Sequence, residues 1–252
     1  MGYSAGKEIT TGIKNTIIGG LAGDALTTGN YNVAVGHAAL STEDADGRNV
    51  AIGYEALKTL NAGADANNVA VGYSAGYSLS TGVRNIMIGT SSGDTLTTGS
   101  DNIAIGHQAL TTEDAHGKNV AIGTRALEDQ NAGADAYNVA LGYEAGKEVT
   151  TGTHNVLLGG LAGDALTTGS ANIAIGYEAL STEDGHSQNV AIGYQALKML
   201  DAGTAGLNVA VGHQAGTAMT TGVRNVIMGG IAGDALTTGG HNVAIGYGAL
   251  SA

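Results

Sequence analysis

A short motif, Asn followed by an apolar stretch and Gly, recurs fourteen times and constrains this chain more than any other feature. Self-similarity at a fixed period marks a repeat architecture, in which one small unit stacks on the next. The Asn residues begin at Asn15, Asn32, Asn49 and Asn68, and recur at Asn85, Asn102, Asn119 and Asn138 and onward to Asn242. Successive steps are 17, 17, 19 and 17 residues, so four units make a 70-residue super-repeat. The longer step always carries a longer loop: Asn61-Ala62-Gly63-Ala64, Asn131-Ala132-Gly133-Ala134 and Asp201-Ala202-Gly203-Thr204. Residues 1–252 read as one continuous repeat array. Met1 falls at the register of Val71, inside a strand, and Leu250-Ser251-Ala252 matches Leu180-Ser181-Thr182. With no atypical capping repeat at either end, the array is expected to be a segment of a longer fibre.

One unit gives the local structure. In Asn49-Val50-Ala51-Ile52-Gly53, Val50 and Ile52 are β-branched and two apart, so they share one face of a strand, and Ala51 points to the other. Gly53 ends the strand. A second short extended segment, Tyr54-Glu55-Ala56-Leu57, leads to a turn that is often Thr-Thr-Gly, as in Thr27-Thr28-Gly29, where Gly is expected to supply a positive φ. Helical repeats are longer, and the stretch around Glu55 to Leu60 is too short to hold a helix alone. The expected fold is therefore all-β, a parallel β-solenoid (β-roll) of about fourteen coils of 17–19 residues. At about 4.8 Å per coil it would be a rod roughly 65–70 Å long.

The Val and Ile residues are expected inside, and the Ala face (Ala34, Ala51, Ala70) outside, against another surface such as a second copy. In one coil of four that Ala becomes Ile17, Met87, Leu157 or Ile227, while the residue after Gly becomes Gly20, Thr90, Gly160 or Gly230. Such an exchange of volume is expected within one packed layer. The Asn column is expected to form a ladder of side-chain amides that satisfies turn backbone groups.

Composition excludes several functions. The chain has 22 acidic and 10 basic residues and a net charge of −12, without the basic face that nucleic acid requires. There is no Cys, hence no disulfide or thiolate metal site. No apolar run approaches the ~18 residues of a membrane span. Catalysis needs a constellation that breaks the repeat, and none stands out, so no catalytic or cofactor-binding residue is assigned and a non-enzymatic role is expected. The acidic turns Glu43-Asp44-Ala45-Asp46-Gly47, Glu113-Asp114-Ala115-His116-Gly117 and Glu183-Asp184-Gly185-His186 are the nearest thing to a metal site. His in place of Asp46 suits calcium poorly, and solvated corners are the expected reading, with no metal ligand assigned. His37 and His107 share a register with Tyr177, which points to packing rather than ligation. The Thr-Thr pairs raise ice binding, although turn chemistry accounts for them.

Asn49-Val50-Ala51-Ile52-Gly53-Tyr54-Glu55-Ala56-Leu57 resembles the head repeats of trimeric autotransporter adhesins. With the Thr-Thr-Gly turns, the chain is more similar still to repeat regions of bacteriophage tail fibres. The resemblance spans the whole chain and implies a homotrimeric shaft or head outside a cell or on a virion. The implied role is a structural or adhesive rod, on a phage tail fibre or, alternatively, a bacterial surface adhesin; an ice-binding solenoid is the third reading. The implied partners are further copies of the chain and a host or cell-surface receptor, with no cofactor, nucleic acid or membrane insertion.

Overall fold

The computed structural model describes residues 2–45, 47–182, 184–201 and 206–251. Met1, Asp46, Glu183, Ala252 and the loop residues Ala202, Gly203 and Thr204, singled out above, lie outside the described residues. Contacts cluster into two compact units, one of residues up to Thr124 with Gly133–Asp135, the other of Arg125–Ala132 with residues from Ala136 onward. The first holds strands β1 (Thr16–Ile18) to β7 (Val120–Ile122), and the second β8 (Val139–Leu141) to β14 (Val243–Ile245). Every strand is three residues long, and within each unit successive strands pair in parallel at a fixed register such as Val50↔Val69, Ala51↔Ala70 and Ile52↔Val71. The fold is all-β, a parallel β-solenoid with one strand per coil.

The rest of each coil is turn. The expected second extended segment is instead a tight turn in which Glu55 (φ 55°) and Leu57 (φ 47°) are left-handed, as is Arg48 (φ 63°) just before the Asn. A non-Gly residue there costs about 1–2 kcal/mol. Leu57 tolerates it because the conformation turns the side chain into the core, where it is fully buried, a gain of about 1.5–3 kcal/mol.

The two faces of the strand are the reverse of the expectation. Ala34, Ala51, Ala70 and Ala104 are 0 % exposed and form the interior, while the flanking Val and Ile point outward and are only partly covered. The reason is room. The coil that begins at Asn49 already turns Ala56, Leu57 and Leu60 inward, all fully buried, and close packing leaves space for only a methyl group at Ala51.

The volume exchange is real, but its partner differs from the expected one. Where the Ala becomes Met87, the residue eight after the Asn, Leu57 in another coil, becomes Gly93, and Gly76 in the preceding coil. A Cβ at Gly76 would lie 2.8 Å from Met87 Sδ, and one at Gly93 3.1 Å from it. Leu157 is fitted the same way against Gly146 and Gly163, and Ile227 against Gly216 and Gly233. Thr90 and Gly160 follow the strand on its outer side and take no part.

The Asn ladder forms as expected. Asn68 Oδ1 accepts the Asn85 backbone N–H at 2.9 Å, and Asn85 Oδ1 accepts that of Asn102 at 3.0 Å. Asn102 Nδ2 donates to the His116 carbonyl, but where a Thr-Thr-Gly turn follows, the Nδ2 donates to its Gly carbonyl, as Asn85 does to Gly99 at 2.9 Å. The Gly of that turn does not adopt a positive φ. It is required by space, since a Cβ at Gly169 would lie 3.1 Å from Asn172 Nδ2 and closer still to Leu166 Cδ1. Positive φ is needed at the strand end instead: Gly53 (φ +139°) also sits against the Gly72 carbonyl, which a Cβ would strike.

Candidate functional site

Two features stand out from the repeat: the outer face of the strands and the acidic turn of every fourth coil.

The outer face follows from the reversed strand. Its Val, Ile and Leu side chains are half-exposed, with Leu141 49 % and Ile52 and Ile88 37 % exposed. Beginning with β2 (Val33–Val35), no charged or polar residue interrupts these rows. Beside them runs a column of aromatic rings from the residue after the strand-end Gly. His37 stacks on Tyr54 with centroids 5.3 Å apart, and Tyr54 on Tyr73 at 5.1 Å. In the second unit Tyr177 stacks on Tyr194 at 5.7 Å and Tyr194 on His213 at 5.2 Å. These separations suit offset stacking. The rings cover one another's faces but leave their edges to solvent, so Tyr54 is 43 % exposed rather than packed away. His37 and His107 belong to this exposed column. The column breaks once per super-repeat at Gly20, Thr90, Gly160 and Gly230, and again at Thr124.

The Thr-Thr turns tie coil to coil. Thr27 Oγ1 donates to the Asp44 carbonyl at 2.7 Å, and Thr167 Oγ1 to that of Asp184 at 2.6 Å. The first hydroxyl of each of these pairs is thus spent within the solenoid.

The acidic turns are not the solvated corners expected. Glu43 and Glu113 are 0 % exposed. They occupy the inward position filled in other coils of the first unit by Leu26, Leu60, Leu79 and Leu96. Asp44 and Asp114 face solvent. Glu113 Oε1 accepts the His116 backbone N–H at 3.0 Å, and His116 Nδ1 lies 3.5 Å from the same oxygen. Burial pushes the Glu113 carboxyl above the usual carboxylate range, against the opposing pull of the His116 N–H. The same turn of the second unit gathers Asp184, His186 and Asp201, with His186 Nδ1 3.7 Å from Asp201 Oδ1. Half-buried acids recur one coil earlier. Asp24, Asp94, Asp164 and Asp234 each bury an Oδ1 without a hydrogen-bond partner. Burial raises Asp94, and raises Asp164 to about 6.

Exposed ion pairs link neighbouring coils. Arg84 donates to both carboxylate oxygens of Asp101, at 2.6 and 2.8 Å, and holds that carboxyl below its usual range. Lys118 pairs with Asp135 at 2.6 Å. Such surface pairs contribute about 0–1 kcal/mol each. Among the described residues no helix is long and apolar enough to cross a membrane.

No protein-family model, curated protein or solved structure matches the chain.

Proposed function

We propose that this solenoid is a structural and adhesive element of an extracellular fibre, most similar in role to a phage tail-fibre shaft or head, and that it works as a homo-oligomer, with three copies favoured. The observation that carries this reading is the uncharged outer strand face. The chain bears a net charge of −12, so copies repel one another everywhere except across a surface free of acids. The strand rows are such a surface, and they offer partly exposed apolar area to cover.

Size sets a condition on the contact. Seven three-residue strands present roughly 300 Å² per unit, against about 800 Å² per partner in a standard interface. The aromatic column must therefore share the contact. Stacked rings suit that, being rigid and amphipathic. Several joined copies would then present their turns to a receptor together, and avidity would follow without tight single contacts.

A trimeric autotransporter-type adhesin would use the same surface. A signal peptide, stalk and membrane barrel encoded beside this segment would favour it, and a baseplate-attachment region or terminal chaperone would favour the fibre. Ice binding is the weaker reading, because the Thr27 and Thr167 hydroxyls already donate to backbone carbonyls.

Light scattering tests the proposal. The expected mass is three times the 24.8 kDa chain, falling towards that of one chain when Ile105→Lys and Ile122→Lys place charges on the outer rows. A monomeric parent chain would overturn the proposal.

A further inference from the structure

We propose that the turn carrying Glu113, Asp114 and His116 binds a divalent first-row cation of the zinc class. The three side chains each offer one ligand atom, and these atoms lie within 4.8 Å of one another. Glu113 is fully buried, yet its Oε2 has no hydrogen-bond partner, and neither does His116 Nδ1, which is also shut away from solvent. A buried, unmet carboxylate oxygen costs about 1–3 kcal/mol or more. The chain accepts that cost at a position where four neighbouring coils of the unit place Leu. Solubility does not explain it, because the carboxylate is not at the surface.

The spacing favours a shared ion over a direct pair. Glu113 Oε1 and His116 Nδ1 stand 3.5 Å apart. Two ligands held at ~2.0–2.1 Å on a tetrahedral ion are separated by about 3.4 Å. The His116 backbone N–H, 3.0 Å from Glu113 Oε1, holds the carboxylate in place beside the ring. Asp114 supplies a carboxylate from the solvent side, and water completes the set. One imidazole and two carboxylates suit zinc or its neighbours, whereas calcium calls for six to eight oxygens.

The test uses the full chain, stripped with chelator and titrated with Zn²⁺ by calorimetry and with Co²⁺ by its visible d–d absorption. The parent is expected to bind, with Zn²⁺ displacing Co²⁺ and raising Tm. His116→Gln and Glu113→Leu are each expected to lose one equivalent, or to weaken it at least about 10- to 100-fold. Equivalents are counted relative to the parent, because the turn with Asp184, His186 and Asp201 gathers a similar group. Glu113→Leu places the neighbouring coils' own residue at this site, and its urea midpoint separates lost binding from lost folding. No binding by the parent, a response to Ca²⁺ but not Zn²⁺, or unchanged stoichiometry and affinity in a folded Glu113→Leu would each overturn the proposal. In the first case Glu113 is a neutral buried acid.

Discussion

The Asn ladder makes a quantitative prediction, because two of its rungs differ in the hydrogen bonds of their Nδ2 groups. Asn85 Oδ1 accepts the Asn102 N–H at 3.0 Å, and its Nδ2 donates to the Gly99 carbonyl at 2.9 Å. Both partners are buried. Asn85→Ala strands both, at about 1–3 kcal/mol each, for a total of roughly 2–5 kcal/mol. Asn49 faces the longer loop rather than a Thr-Thr-Gly turn. Its Oδ1 accepts the Asn68 N–H at 3.0 Å, but its Nδ2 has no partner. Asn49→Ala therefore strands one group and costs about 1–3 kcal/mol. Both substitutions remove the same side chain from the same column, so the difference reports the Nδ2 bonds that Asn85 makes, to the Gly99 carbonyl at 2.9 Å and to Asn68 Oδ1 at 3.2 Å. Urea unfolding followed by circular dichroism, with matched m-values, reads the two midpoints. Asn85→Ala should be the less stable by about 1–2 kcal/mol. Equal losses, or a larger loss at Asn49, would refute the role given to the Nδ2 bonds.

Met87→Ala should cost about 2–4 kcal/mol through the cavity it leaves beside Gly76 and Gly93; adding Gly93→Leu, which restores the Ala and Leu pairing of other coils, should recover part of that loss in a double-mutant cycle. Gly53→Ala should cost about 3 kcal/mol or more, because φ is +139° and a Cβ strikes the Gly72 carbonyl; Gly63→Ala, with φ +73° and open space around it, should cost only about 1 kcal/mol by the same urea assay. Asp164 binds its proton more tightly folded, with a pKa of about 6, than unfolded near 3.8. Its burial therefore costs stability that sets in as pH rises from about 4 to 6. The shift corresponds to at most about 3 kcal/mol, reduced to about 1 by solvent screening at this half-buried site; Asp164→Asn should remove that part of the urea midpoint's pH dependence, and an unaltered profile would contradict it.

The period, the strand positions and the Asn ladder were all legible in the sequence, because each depends on spacing alone. The orientation of the strand was not. Val50 and Ile52 are more hydrophobic than Ala51, and alternation by itself favours burying them. What decides the matter is the width of the coil, already filled by Leu57 and Leu60 from outside the strand. The sequence did hold a signal. Met87 and Leu157 appear only where Leu gives way to Gly eight residues after the Asn, which marks the Ala position as interior. The turn of Glu113 was singled out, but the burial of its carboxylate was not, for a similar reason. Read along the chain it belongs to an acidic turn, whereas read down the repeat it stands in a column of Leu. The turn Tyr54-Glu55-Ala56-Leu57 depends on left-handed non-Gly residues, which no local propensity announces.

The most direct test of the fold uses the absence of native cysteine. Ile105 and Ile122 are register partners on the outer face, whereas Ala121 points inward. Neighbouring strands lie about 4.8 Å apart, within disulfide reach. On mild oxidation the Ile105→Cys/Ile122→Cys variant should form an intramolecular disulfide, measured by mass spectrometry and thiol titration. The Ile105→Cys/Ala121→Cys variant should keep both thiols. Equal oxidation of the two variants, or preference for the second, would contradict both the 17-residue register and the outward placement of the β-branched rows.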